Sequence, residues 1–94
     1  MPNSIATVTT TTPRRYMVQL CKHFEHKLPV SQEGSEGRIE FSIGTCRLEA
    51  TNDALVLRAE AEDADALSKL QDVVARHLVR FAFRAPPEVV WQAG

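Results

Sequence analysis

From Arg38 to Ala61 the chain alternates polar and apolar residues with a period of two, and nothing else in it constrains the fold as much. Ile39, Phe41 and Ile43 alternate with Arg38, Glu40 and Ser42. After Gly44, the residues Cys46, Leu48 and Ala50 alternate with Thr45, Arg47 and Glu49. After Asn52-Asp53, the residues Leu55, Leu57, Ala59 and Ala61 alternate with Val56, Arg58 and Glu60. A strand turns successive side chains to opposite faces, so these segments read as a three-stranded antiparallel meander. One face is apolar and led by Phe41 and the leucines. The other carries Arg and Glu on all three strands, where cross-strand ion pairs are expected.

An apolar sheet face needs a cover, and two segments supply it. Thr12-Pro13 opens a helix, with Thr as cap and Pro at the first helical position. The spacing predicts a helix from Pro13 to about Lys27, stopped by Pro29. Met17, Leu20, Cys21, Phe24 and Leu28 fall on one arc about 100° wide, with Arg15, Gln19, Lys22 and His26 opposite. Asp63 caps a second helix, whose stripe is Leu67, Leu70, Val74, Leu78 and Phe81. Pro86-Pro87 ends it, allowing a frayed last turn through Phe83. Ser4–Thr10 reads as an N-terminal strand and Glu88–Gln92 as a last short one. Ser31–Gly37, polar and Gly-bearing, reads as a loop. The expected fold class is α+β: a two-layer sandwich, its largely antiparallel sheet covered on one face by two helices, in the order β-α-β-β-β-α-β.

At 94 residues the chain has room for a single domain, 1–94. Its formal net charge of -1 removes the basic excess that general nucleic-acid binding needs, so no nucleic-acid partner is expected. No apolar run approaches the roughly 20 residues of a membrane span, so no membrane partner is expected either. Two cysteines do not make a disulfide framework, and the Thr-rich start lacks the basic and apolar regions of a secretory signal. Both thiols are expected free, in the cytoplasm.

Chemistry is concentrated in few places. Cys21, His23 and His26 lie within six residues and invite a metal. On a helix Cys21 and His23 stand about 200° apart, so the three cannot hold one ion together. His23 and His26, about 60° apart, share a face: two solvated imidazoles or a pair of ligands. Cys21 and Cys46 both point toward the layer between helices and sheet, as core hydrophobes or as a thiol pair. His77 lies inside the second helix's stripe and needs a hydrogen-bond partner or a ligand there. Should His77 meet Cys21 and Cys46, the three could take zinc or iron, or His77 could lower a thiol's pKa. Arg80 could meet an anionic ligand, or simply suit the helix's negative end. No GxSxG, Walker A, GxGxxG, CxxC or HExxH motif is present, so no catalytic residue is assigned.

The segments YMVQLCKHFEHK (16–27), GRIE (37–40), GTCRLEA (44–50) and VVARHLVRFAF (73–83), with Trp91, resemble the small bacterial proteins grouped as domain of unknown function 2218. The resemblance runs from about Thr7 to Gln92. It implies signature positions at Cys21, His23, His26, Cys46, His77, Arg80 and Phe81. It also implies an association of some members with siderophore-interacting flavoproteins, and so a role near iron acquisition. An aldolase activity gets no support: no lysine sits in an apolar setting, and the chain is too short for the barrel. The function expected is non-enzymatic binding of a small ligand or a metal, zinc or iron. The alternatives are an interaction module, dimerising through a strand edge or the exposed sheet face, and a small redox or hydrolytic enzyme.

Overall fold

A computed structural model describes residues 2–81 and 89–93. The elements are β1 (Asn3–Thr9), α1 (Pro13–Phe24), β2 (Val30–Glu33), β3 (Glu36–Phe41), β4 (Gly44–Ala50), β5 (Ala54–Ala61), α2 (Ala64–Phe81) and β6 (Trp91–Ala93). The strands form one six-stranded antiparallel sheet in the order β2-β3-β4-β5-β1-β6. Both helices pack against it, so the expected α+β architecture is the one found. The meander lies where the alternation put it except at its first turn, which is Ser42-Ile43 rather than Gly44, and Gly44 opens β4. β1 closes against β5 with Ala6 opposite Leu57.

The expected loop is corrected first. Ser31–Gly37 is not a loop but most of a hairpin, so the order becomes β-α-β-β-β-β-α-β. Val30 pairs with Ile39 and Glu33 with Glu36, which leaves Gly34-Ser35 as a two-residue turn. Gly34 has φ 60, and it alone among the described residues has a positive φ. Glycine first in a two-residue loop, with a positive φ, fits the type II′ turn whose twist matches paired strands. β2 escapes the hydrophobic pattern because it is an edge strand with Ser31, Gln32 and Glu33 exposed. Polar, charged edges are how sheets avoid pairing with strangers.

The core sits between the sheet and the helices. Ile39, Cys46, Leu48, Leu55 and Leu57 line it from the meander, and Met17, Leu20, Leu70, Val74 and Leu78 from above. Each fully buried leucine contributes about 1.5–3 kcal/mol. Phe41 and Ile43, expected to be core, are only half-buried at one end of the sheet. Ser4 points into this layer from β1 and is satisfied there, its Oγ accepting from Gln71 Nε2 at 2.7 Å.

Local chemistry sets the helix ends. Asp63 Oδ1 accepts the Ala66 N–H at 2.8 Å, the N-cap bond expected for α2. Thr12 makes no such bond; Pro13 alone starts α1. That helix ends at Phe24 rather than Lys27, and Glu25–Lys27 form a turn. Gln19, placed on the solvated side by the spacing, is half-buried, and its Oε1 lacks a hydrogen-bond partner among the described residues. The expected end of α2 near Pro86-Pro87, its last turn through Phe83, and Glu88 of the last strand lie outside the described residues.

Candidate functional site

The two thiols are the most deeply buried reactive groups. Cys21 is 3% exposed and Cys46 0%. Cys46 stands opposite Ile39 and Ala59 in the sheet, and its thiol donates a long hydrogen bond to Arg47 O at 3.9 Å. Cys21 Sγ lies over Gly37, where a Cβ would stand 3.0 Å from it. Burial pushes the Cys46 thiol up to about 12, helped by the nearby Cys21. Burial also raises Cys21, followed by the negative charge of Glu25. A thiol held protonated is a poor nucleophile and a poor metal ligand. Among the described residues His77 makes its ring contacts with His23 and Phe24, and no set of His77 with both thiols could hold an ion. Both cysteines should therefore react slowly with a thiol reagent in the native state and rapidly once unfolded. Fast native labelling would mean an open thiol pocket. The sign with pH follows from the raised pKa. The native state resists ionisation, so the contribution of Cys46 is intact below the ordinary thiol value of 9.0 and is lost as pH rises above it.

The imidazoles are arranged differently from the spacing argument. His23, on the last turn of α1, faces His77 on α2, with ring centroids 4.7 Å apart and planes tilted by 47°. Phe24 touches both rings, at 5.0 Å from His23 and 4.9 Å from His77. Phe41 closes the cluster edge-on to Phe24 at 5.0 Å. His26 lies beyond the end of α1, in the turn, and is near enough for its charge to act on His23.

Hydrogen bonding and charge then say which nitrogens are available. His77 Nδ1 lies 2.6 Å from Val73 O. A carbonyl only accepts, so Nδ1 carries the proton, and the neutral ring presents Nε2 as its lone-pair donor. The His23 pKa is lowered from the ordinary imidazole value. Partial loss of water is the first cause, followed by the positive charge of His77, Arg80, His26 and Lys27. A neutral His23 facing His77 is the state in which imidazoles bind metals. Among the described residues no group of three or more His, Cys, Asp and Glu could hold an ion together.

The model of a family described as an uncharacterized protein conserved in bacteria (DUF2218) matches residues 5–92. The chain belongs to the DUF2218 family. It is similar to PA4090 from Pseudomonas aeruginosa, whose NMR structure superposes with a TM-score of 0.83 at 37% identity, over 98% of this chain and 96% of that one. No curated protein matches it. Within the DUF2218 fold, five of the seven residues implied as signature positions separate into two sets; His26 lies in the turn after α1, and the Phe81 side chain lies outside the described residues. Cys21 and Cys46 belong to the core, while His23, His77 and Arg80 gather at one end of the helix pair. The His23–His77 contact is the feature that sequence reasoning missed. It joins residues 54 apart in the chain, and no local spacing encodes how two helices cross.

Proposed function

We propose that this protein is a non-enzymatic binding domain in which His23 and His77 receive a transition-metal ion, zinc or iron, together with a small chelating ligand. The observation that carries the reading is the facing pair of imidazoles, 4.7 Å apart, one from each helix. Imidazole nitrogen suits zinc and iron alike. A closed structural zinc site uses four protein ligands. Here two are in place, so water or the donors of a bound chelator would complete the coordination. Arg80, near enough to act on His23, adds positive charge where an anionic chelator would lie. A link to iron handling, with a siderophore-interacting flavoprotein as partner, agrees with this chemistry. The cytoplasm, where Cys21 and Cys46 stay reduced, is the matching compartment.

The test is an NMR titration of the three imidazoles with zinc, and with ferrous iron under anaerobic conditions. His23 and His77 should shift together near one equivalent, and His77→Ala should weaken binding about 10–100-fold. The reading fails if they move only in large metal excess. Acid gives a second check. Because the His23 pKa is lowered, binding should persist as pH falls to about 6.5 and weaken only below it. The apo protein follows the same sign. Its unfolded chain takes up a proton at His23 before the native state does, so the contribution of His23 to stability is intact above about pH 6.5 and declines below it.

The edge of the sheet supports a second reading, an interaction module. Among the described residues no strand pairs with the outer side of β2, so its backbone is open to a strand from a second copy. A metal-free protein that is a stable dimer by light scattering would favour it.

A further inference from the structure

The sheet face turned away from the helices carries an arginine row. Arg38 on β3 is directly opposite Arg47 on β4, and Arg47 is directly opposite Arg58 on β5. Ser31 and Ile5 continue the row on either side. Like charges placed opposite one another on adjacent strands repel, so the row works against the stability of the sheet. The ion pairs expected to offset it are largely missing. Arg38 meets Glu40 of its own strand at 3.5 Å, with both side chains about half exposed. Among the described residues, Arg47 and Arg58 have no carboxylate within 4.0 Å.

The ground on either side is shaped and differently charged. A hollow of about 490 Å³ is lined by Ser31, Arg38, Arg47, Glu49 and Arg58. A second of about 280 Å³ lies across the same three arginines and reaches Thr45 and Glu60. The neighbouring rows are acidic: Glu33, Glu36 and Glu49 on one side, Glu40 and Glu60 on the other. Two residues along a strand is about 7 Å, and two strand spacings across is about 10 Å. The positive ground is thus a short stripe fenced by carboxylates. A polymer such as nucleic acid would run onto the acidic rows; a compact anion would not.

We infer that the Arg38–Arg47–Arg58 row is a binding site for a compact polyvalent anion, bearing two or more phosphate or carboxylate groups about 5–10 Å apart. Guanidinium groups pair with both chemistries in a bidentate way. The site lies on the sheet face opposite the imidazole pair and does not depend on it.

Inorganic pyrophosphate and citrate are the probes, titrated at low salt and followed by backbone amide shifts. Saturable shifts clustered on β3, β4 and β5 are expected below about 1 mM, weakening as salt rises. Arg47→Gln and Arg58→Gln should each weaken binding about tenfold or more. Neither should destabilise the anion-free protein, since each removes a repulsive charge. Response to pyrophosphate alone marks a phosphate ligand, response to citrate alone a carboxylate one, and either supports the site. Three outcomes overturn it: no saturation by 10 mM of either anion, shifts scattered over all the basic residues, or a dimer through this face that Arg47→Gln dissociates.

Discussion

Gly44→Ala is expected to destabilise the protein by about 3 kcal/mol, toward the upper end of overpacking penalties. Gly44 opens β4, opposite Ala61 of β5. It does not need a left-handed backbone, for its φ is not positive. What it needs is space. A Cβ built there collides with the Glu60 carbonyl oxygen, and lies 3.0 Å from Leu70 Cδ2 and 3.1 Å from Ala61 Cβ. The side-chain contacts could relax, but a carbonyl in the ladder cannot move without disturbing the pairing of β4 and β5. In a domain of this size 1 kcal/mol shifts the melting temperature by about 4–8 °C, so the drop should be on the order of 10–20 °C. Melting followed by circular dichroism measures it. A variant that melts with its parent would mean that β4 and β5 are not this close at that end.

The contrast between what was legible and what was not follows from the range of the interactions. The meander was readable because period-two alternation is local and survived over three segments. Asp63 was readable because a cap bonds three residues away. β2 was not, because an edge strand with one half-buried residue and three exposed ones has no apolar period to show. Its signal was the Gly34-Ser35 turn, a hairpin loop by residue type. The charged face shows both sides of the matter. Its composition was plain, and its expected ion pairs were the wrong consequence. The pairing of Arg38 with Arg47 follows from the two-residue Ser42-Ile43 turn, which puts Phe41 opposite Gly44 and counts back to the arginines. The His23–His77 contact had no such route. The spacing pairs His23 with His26, which the structure leaves in the turn after the helix, and it carries nothing about α2.

Leu57→Ala should cost more than Phe41→Ala at the edge of the imidazole cluster, about 3–4 kcal/mol, within the 2–5 kcal/mol found for buried leucines. Leu57 is 0% exposed and stands between Leu48 and Ala6 in the middle of the sheet, on the side the helices cover. Sheet neighbours on both sides are held by their own ladders, so the cavity has little means of collapsing. Phe41 gives the comparison. It is the larger side chain, and the alternation alone would make it the stronger anchor. It is only half-buried, though, at the end of the sheet, so Phe41→Ala loses part of its contact with Phe24 and leaves no enclosed void. Its cost should be about 1–2 kcal/mol, below that of the leucine. Phe24 also touches His23 and His77, so the phenylalanine variant should shift the imidazole resonances while Leu57→Ala lowers stability. Urea denaturation at constant m, alongside NMR of the three histidines, separates the effects. If Phe41→Ala proves the costlier change, the centre of the core lies toward the histidine end of the sheet rather than along the Leu48–Leu57–Ala6 row.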